Sequence, residues 1–252
     1  MGIYIAAVVA TLVAAWGGLS LLRLWVGSCA VHRWVLAGCL IGSPAINMVV
    51  KGPLLAVMLA AAGVGRHSAS WPWWLVGLGL LMVGVTEELV KLLPLLVPTV
   101  RRQLREDRTA VPLAFAIGLG FALGEIWYAA CLIARVQPQV ASLPVYLLGG
   151  FVSERSATVL IHSTLTLIAL SSFPRGRWAF VAGTLGAILA HAAVDFMPAL
   201  FQRGQVSAEV ATVELIVLTI ICARPFLLEK KRVERPDSQA ACRVLLPPRG
   251  TP

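Results

Sequence analysis

Residues 86–94 read TEELVKLLP and set Glu87, Glu88 and Lys91 inside a run that is otherwise almost wholly apolar from Trp71 to Pro98. What surrounds these charges decides the fold. The chain is 58% hydrophobic and 13% charged, with a mean hydropathy of +0.84, far more apolar than a soluble domain of this size. Apolar stretches long enough to cross a bilayer recur near 2–22, 34–64, 71–98, 111–134, 143–172, 178–201 and 207–228. No period-two strand pattern competes with them. The fold class is therefore all-α: a polytopic membrane protein of about seven transmembrane helices, with the charge-bearing helices forming a central bundle. The second stretch carries Lys51-Gly52-Pro53, where a kink or break is expected.

Residues 1–228 form the transmembrane domain, with a core at about 71–201, and residues 229–252 form a basic, disordered cytoplasmic tail. The first residues lack a basic n-region and a small-residue cleavage site, so no removable signal peptide is expected. Cys29, Cys39, Cys131, Cys222 and Cys242 show neither metal nor disulfide spacing and act as small apolar fillers. Basic residues alternate between loops. Arg23 and Arg33, then Arg101, Arg102, Arg105 and Arg108, then Arg175 and Arg177, then Lys230, Lys231 and Arg232 fall after every second span; Arg66, Arg135 and Arg203 stand alone in the others. This bias places the protein in the cell membrane as a multi-pass chain, N-terminus outside and C-terminus cytoplasmic. It also accounts for the net charge of +9 through anionic inner-leaflet lipid, without nucleic acid.

Ionisable residues also fall within other spans: Glu125, then Glu154, Arg155 and His162, then His191 and Asp195. Insertion scales put each ion at a helix centre at about 2.5–3.5 kcal/mol, so five facing lipid would cost on the order of 12–17 kcal/mol, as much as a folding free energy. They must face one another or a wet cavity. Counted inward at 1.5 Å per residue, Glu87, Glu125, His162 and His191 share one level, roughly 15–21 Å from the inner surface. Four helices thus bring two acids and two imidazoles together near the midplane.

Spacing supports convergence. Lys91 can reach Glu87 at i,i+4 or Glu88 at i,i+3, and Asp195 lies one turn from His191, where it can orient the ring. Gly118, Gly120 and Gly124 lead to Glu125 and would let a backbone approach the carboxylate. Each feature has a plainer reading: a structural ion pair at Glu88–Lys91 or Glu154–Arg155, a helix–helix hydrogen bond at His162, a buried pair at His191–Asp195. His32 and His67 read as loop residues without partners. GLGFALG, one residue off a dinucleotide fingerprint, follows no strand and is set aside.

Carboxylates and imidazoles in an apolar cavity suit water activation and hydrolysis. The chain has no HExxH zinc-protease helix, no GxSxG serine elbow and no GxGD aspartyl motif. EELVK at 87–91, GFALGE at 120–125, ERSATVLIHSTL at 154–165 and HAAVDF at 191–196 resemble the four motifs of glutamic-type intramembrane proteases. That superfamily holds the CAAX-prenyl and bacteriocin-processing enzymes, the PrsW proteases and the YhfC-type proteins. The PrsW form, with EExxK, FxxxE and HxxxD, is the most similar at the motifs. The ER…H spacing, the chain length and VVKGPLL are closer to the YhfC type. The resemblance covers about 87–196, and weakly 45–57.

What the resemblance implies is an intramembrane endopeptidase acting in the lipid bilayer on a membrane protein or membrane-associated peptide; the shared depth of the motifs puts cleavage of a membrane-embedded or juxtamembrane segment at its cytoplasmic half. Glu87, Glu88, Glu125, His162, His191 and Asp195 would be catalytic, with Lys91, Glu154 and Arg155 in support. Glu125 stands where the CAAX-type members carry a histidine, so two carboxylates would face the water. The same departure admits zinc on Glu87, Glu125, His162 and His191. The expectation is no cofactor, because Lys91 already supplies a positive charge within one turn of both glutamates. A proton-coupled transporter and a non-catalytic scaffold remain as alternatives; neither an internal repeat nor a proline beside the charged residues supports the transporter.

Overall fold

The computed structural model describes residues 1–26, 30–65, 71–104 and 110–233. Arg66, His67, Arg105, Arg108, Cys29, Cys242 and the tail from 234 lie outside the described residues. In chain order the helices are α1 (Gly2–Val26), α2 (Ala30–Ile46), α3 (Gly52–Ala61), α4 (Trp73–Leu92), α5 (Pro98–Gln103), α6 (Ala110–Val136), α7 (Pro138–Ser142), α8 (Gly149–Ser172), α9 (Arg177–Gln202) and α10 (Ala208–Val233). Lipid offers no partner to a backbone N–H or C=O, so the segments that cross it satisfy those groups within themselves as helices.

Among the described residues, six stretches are long and apolar enough to span a membrane: Gly2–Trp25, Ala30–Ala61, Ala110–Val136, Val145–Arg175, Arg177–Gln202 and Ala208–Lys231. The seventh expected span, 71–98, is not among them. Its regular helix is α4, 20 residues long. Pro94 has no N–H to give, and the chain tightens into a 3₁₀ turn at Leu93–Leu96 before α5. The expected break near Lys51-Gly52-Pro53 is a π turn, Asn47–Lys51, between α2 and α3. α10 runs to Val233, so residues 229–233, expected in the tail, are helical; lysine, arginine and glutamate are good helix formers.

α6 is the spine. Every residue from Pro112 to Gly124 is buried, against α2, α8 and α1. The glycines explain how closely. A Cβ at Gly120 would run into the Leu36 carbonyl of α2, one at Gly124 into that of Leu40, and one at Gly118 into the backbone of Ser163 on α8. These glycines are filled by neighbouring helices and do not form an approach to Glu125. α4 is held against α9 in the same way, since a Cβ at Gly84 would sit 2.7 Å from the Ile188 carbonyl oxygen.

His32 departs from its expected loop position. α2 begins at Ala30, so His32 lies on the helix, 5% exposed, and neither ring nitrogen has a hydrogen-bond partner among the described residues.

Candidate active site

The last turns of α4 put Glu87, Glu88 and Lys91 on the inner face of the bundle, at 2%, 1% and 0% exposure. Such burial is tolerable only with full pairing. Lys91 Nζ donates to Glu88 Oε1 at 2.6 Å and to His162 Nδ1 at 2.8 Å, with the ring of Phe121 4.8 Å away. Of the two spacings open in the sequence, i,i+3 is the one formed. An ammonium has only donors, so His162 Nδ1 accepts, and its Nε2–H donates to Glu125 Oε2 at 2.8 Å. Lys91 therefore fixes the tautomer of His162.

α9 contributes the second imidazole. His191 Nδ1 donates to Glu88 Oε1 at 2.7 Å, which turns Nε2 toward Glu87 Oε2 at 3.6 Å and Asp195 Oδ2 at 3.5 Å. The two histidine rings lie 5.7 Å apart. Four helices thus bring Glu87, Glu88, Glu125, His162, His191 and Asp195 together. Arg155 joins this group: it pairs with Glu154 and reaches Glu125 Oε1 at 3.2 Å, so the pair sits beside the cluster and is not an isolated outer contact.

Lys51 is the residue that sequence reasoning missed. Its Nζ lies 2.6 Å from Glu87 Oε1, although 36 positions separate the two. The available signals were a lysine in an apolar run, read as part of the expected kink, and its place in VVKGPLL, read only for the resemblance.

A cavity of about 720 Å³ opens beside the cluster, lined by Glu87, Glu125, His162, His191, Asp195 and Lys51. It continues past apolar walls on α4 and α10 to Trp71, Gly150, Arg203 and Ala208, the end where α4, α8 and α10 begin and α9 finishes.

The donor set suits a metal ion. Glu87, His162 and His191 each offer a ligand atom, and these atoms lie within 4.8 Å of one another. Glu87 Oε2 is buried without a hydrogen-bond partner and faces the lone pair of His191 Nε2. Glu88 on the far side of the His191 ring is the outer carboxylate that metal-binding histidines commonly have. Formal charge points the same way: Glu87, Glu88, Glu125, Glu154 and Asp195 meet Lys51, Lys91 and Arg155. Five carboxylates against three cations leave two negative charges, which a divalent ion would balance. His162 would enter such a shell through Nε2 only as the other tautomer, with its proton on Nδ1 and the hydrogen bond from Lys91 given up.

A family model described as PrsW family intramembrane metalloprotease matches residues 30–223, and the chain belongs to that family. No curated protein matches it, and no solved structure does. The family is one of peptide hydrolases acting in membranes, as the four motifs implied. The expectation of a site without a cofactor is not supported, given the family's description and the Glu87–His162–His191 group.

Proposed function

We propose that this protein is a metal-dependent intramembrane endopeptidase that cleaves a membrane-embedded or juxtamembrane peptide segment near the midplane. One observation carries the reading: Glu87, Glu125, His162 and His191 converge from four helices on one cavity inside the bundle. Glu87, His162 and His191 would hold a divalent ion such as zinc, with Asp195 beside His191 Nε2. A metal bound there supplies Lewis-acid polarisation of the scissile carbonyl and of water. Glu125 takes the water proton. At 20% side-chain exposure it is far more open than Glu87 or Glu88, and its syn and anti lone pairs leave room beside Arg155 and His162. The same carboxyl returns the proton to the leaving amine. Glu88 and Lys91 do not line the cavity; they orient His191 and His162. The basic loops lie away from the cavity's open end, so the peptide enters from the outer side if the N-terminus is outside.

A second reading has its own observation. Lys51 and Lys91 each stand 2.6 Å from a glutamate, so the positive charge of a metal-free glutamic site is already in place. One purification separates the two. The metal-dependent enzyme carries about one metal per chain and loses activity on chelation, with return on zinc addition; the metal-free enzyme is indifferent to chelators. Substrate follows from membrane proteomics of cells carrying wild type or Glu87→Gln, as a fragment present only with wild type. A fragment that persists in both Glu87→Gln and His191→Ala cells defeats both readings.

A further inference from the structure

Glu87 and Glu88 are neighbours in sequence, yet their carboxylates are held differently. Both contacts of Glu88, from Lys91 and His191, converge on Oε1. Glu87 has one oxygen taken by Lys51 and the other left without a partner. A glutamate has three side-chain torsions, the last of them broad and nearly two-fold, so an untethered carboxyl would not keep one oxygen aimed at His191. We propose that Lys51 is a positioning residue for the active site: by holding Glu87 Oε1 it turns Oε2 toward His191 and the cavity. This rests on the proposed function, in which Glu87 Oε2 is the working atom.

The local fold explains how a lysine so far away in sequence arrives there. The inward row of α2 steps by four through Val35, Cys39, Ser43 and Asn47, all buried. In a straight α-helix the last step, from Asn47 to Lys51, would turn about 40° further and carry Lys51 off the line of Asn47. The wider π turn takes out that drift, and Asn47 Nδ2 braces it by donating to the Ser43 carbonyl at 2.8 Å. Pro53 then starts α3 without a backbone donor. The π turn therefore aims Lys51 at α4, where Glu87 receives it. At 18% exposure its side chain stands on the cavity wall, close enough for a charge-assisted hydrogen bond.

The test uses the full chain in nanodiscs, with cobalt(II) alone as the metal probe. Lys51→Met should weaken cobalt binding roughly 10–100-fold, the range for groups behind a metal ligand, and alter its visible absorption, which reports the ligand geometry. Lys51→Arg should restore both. A metal-free measurement runs beside it, a mutant cycle on thermal unfolding. Lys51→Met and His191→Gln should be non-additive, and that coupling should vanish in a Glu87→Gln background, since Lys51 acts on His191 only through Glu87. Lys51→Gln serves as second variant where Lys51→Met does not fold. Additive Lys51 and His191 effects, or a coupling that survives Glu87→Gln, overturn the proposal. So does cobalt binding that is identical in wild type and Lys51→Met. Wild-type protein that binds no cobalt refutes the metal in the proposed function, and the cycle alone then decides the role of Lys51.

Discussion

The floor and the mouth of the site are built from the same residue types and held in opposite ways. On the floor, Lys91 donates to Glu88 and His162, and His191 donates to Glu88, with the ion pair at 1% and 0% exposure. At the mouth, Glu87 Oε2 has no partner, His191 Nε2 meets two carboxylate oxygens only at 3.5–3.6 Å, and Asp195 is 35% exposed. Paired charges hold a geometry; an oxygen or nitrogen without a close partner is where a ligand can act. The proposed function therefore has its chemistry at the mouth.

The comparison breaks first at Lys91. Lys91→Met leaves Glu88 a buried charge without its cation, held only by the hydrogen bond from His191, and releases the tautomer of His162. Removing one partner of a buried pair costs about 3–5 kcal/mol, so this variant should lose most of its stability in a thermal or denaturant scan. A variant as stable as wild type would show that the floor does not hold the fold. At the mouth, Glu125→Gln should leave the fold intact, because Arg155 keeps Glu154. It should lower kcat by about 10²–10⁴-fold, the share of a general base, in a cleavage assay on the substrate found by proteomics. Near-normal kcat would remove Glu125 from proton transfer.

Much of this division could be read in the sequence. Composition and span-length periodicity gave a polytopic helical protein, because hydrocarbon leaves the backbone no other solution. Buried charges at one depth gave the cluster, because each is too costly to leave alone in lipid. What could not be read were choices that depend on packing between helices. Whether Lys91 pairs with Glu87 or Glu88 depends on Lys51 arriving from α2. That arrival depends on a π turn, which no residue pattern specifies. Gly118, Gly120 and Gly124 announced a close approach without saying by what: the intruders are Leu36, Leu40 and Ser163. His32 was misplaced because the start of α2 lies four residues ahead of the apolar run.

Those glycines sharpen the comparison from outside the charges. Gly120→Ala places a methyl against the Leu36 carbonyl, a backbone atom that cannot swing aside. Overpacking of this kind costs about 1–3 kcal/mol and should push α2 away from α6. Because α2 leads into the π turn, the variant should also weaken metal binding beyond what its lower stability explains. A loss of stability with unchanged cobalt affinity would uncouple the α2 seat from the mouth.

The smallest effect belongs to Asp195. Its Oδ2 lies 3.5 Å from His191 Nε2, one turn further along α9, with no lysine or arginine paired to it among the described residues. If it only balanced the charge of the histidine, Asp195→Asn would shift stability slightly and metal affinity not at all. If it faces a metal shared with Glu87 and His191, losing its charge should weaken cobalt binding about tenfold, the low end for an outer partner, because solvent at 35% exposure screens it. Stability should change by less than about 1 kcal/mol, as at other partly exposed positions. A tenfold loss with an unchanged melting temperature would mark Asp195 as part of the mouth. An unchanged affinity would shrink the mouth to Glu87, His162 and His191, and leave one of the two uncompensated charges without a role in holding the ion.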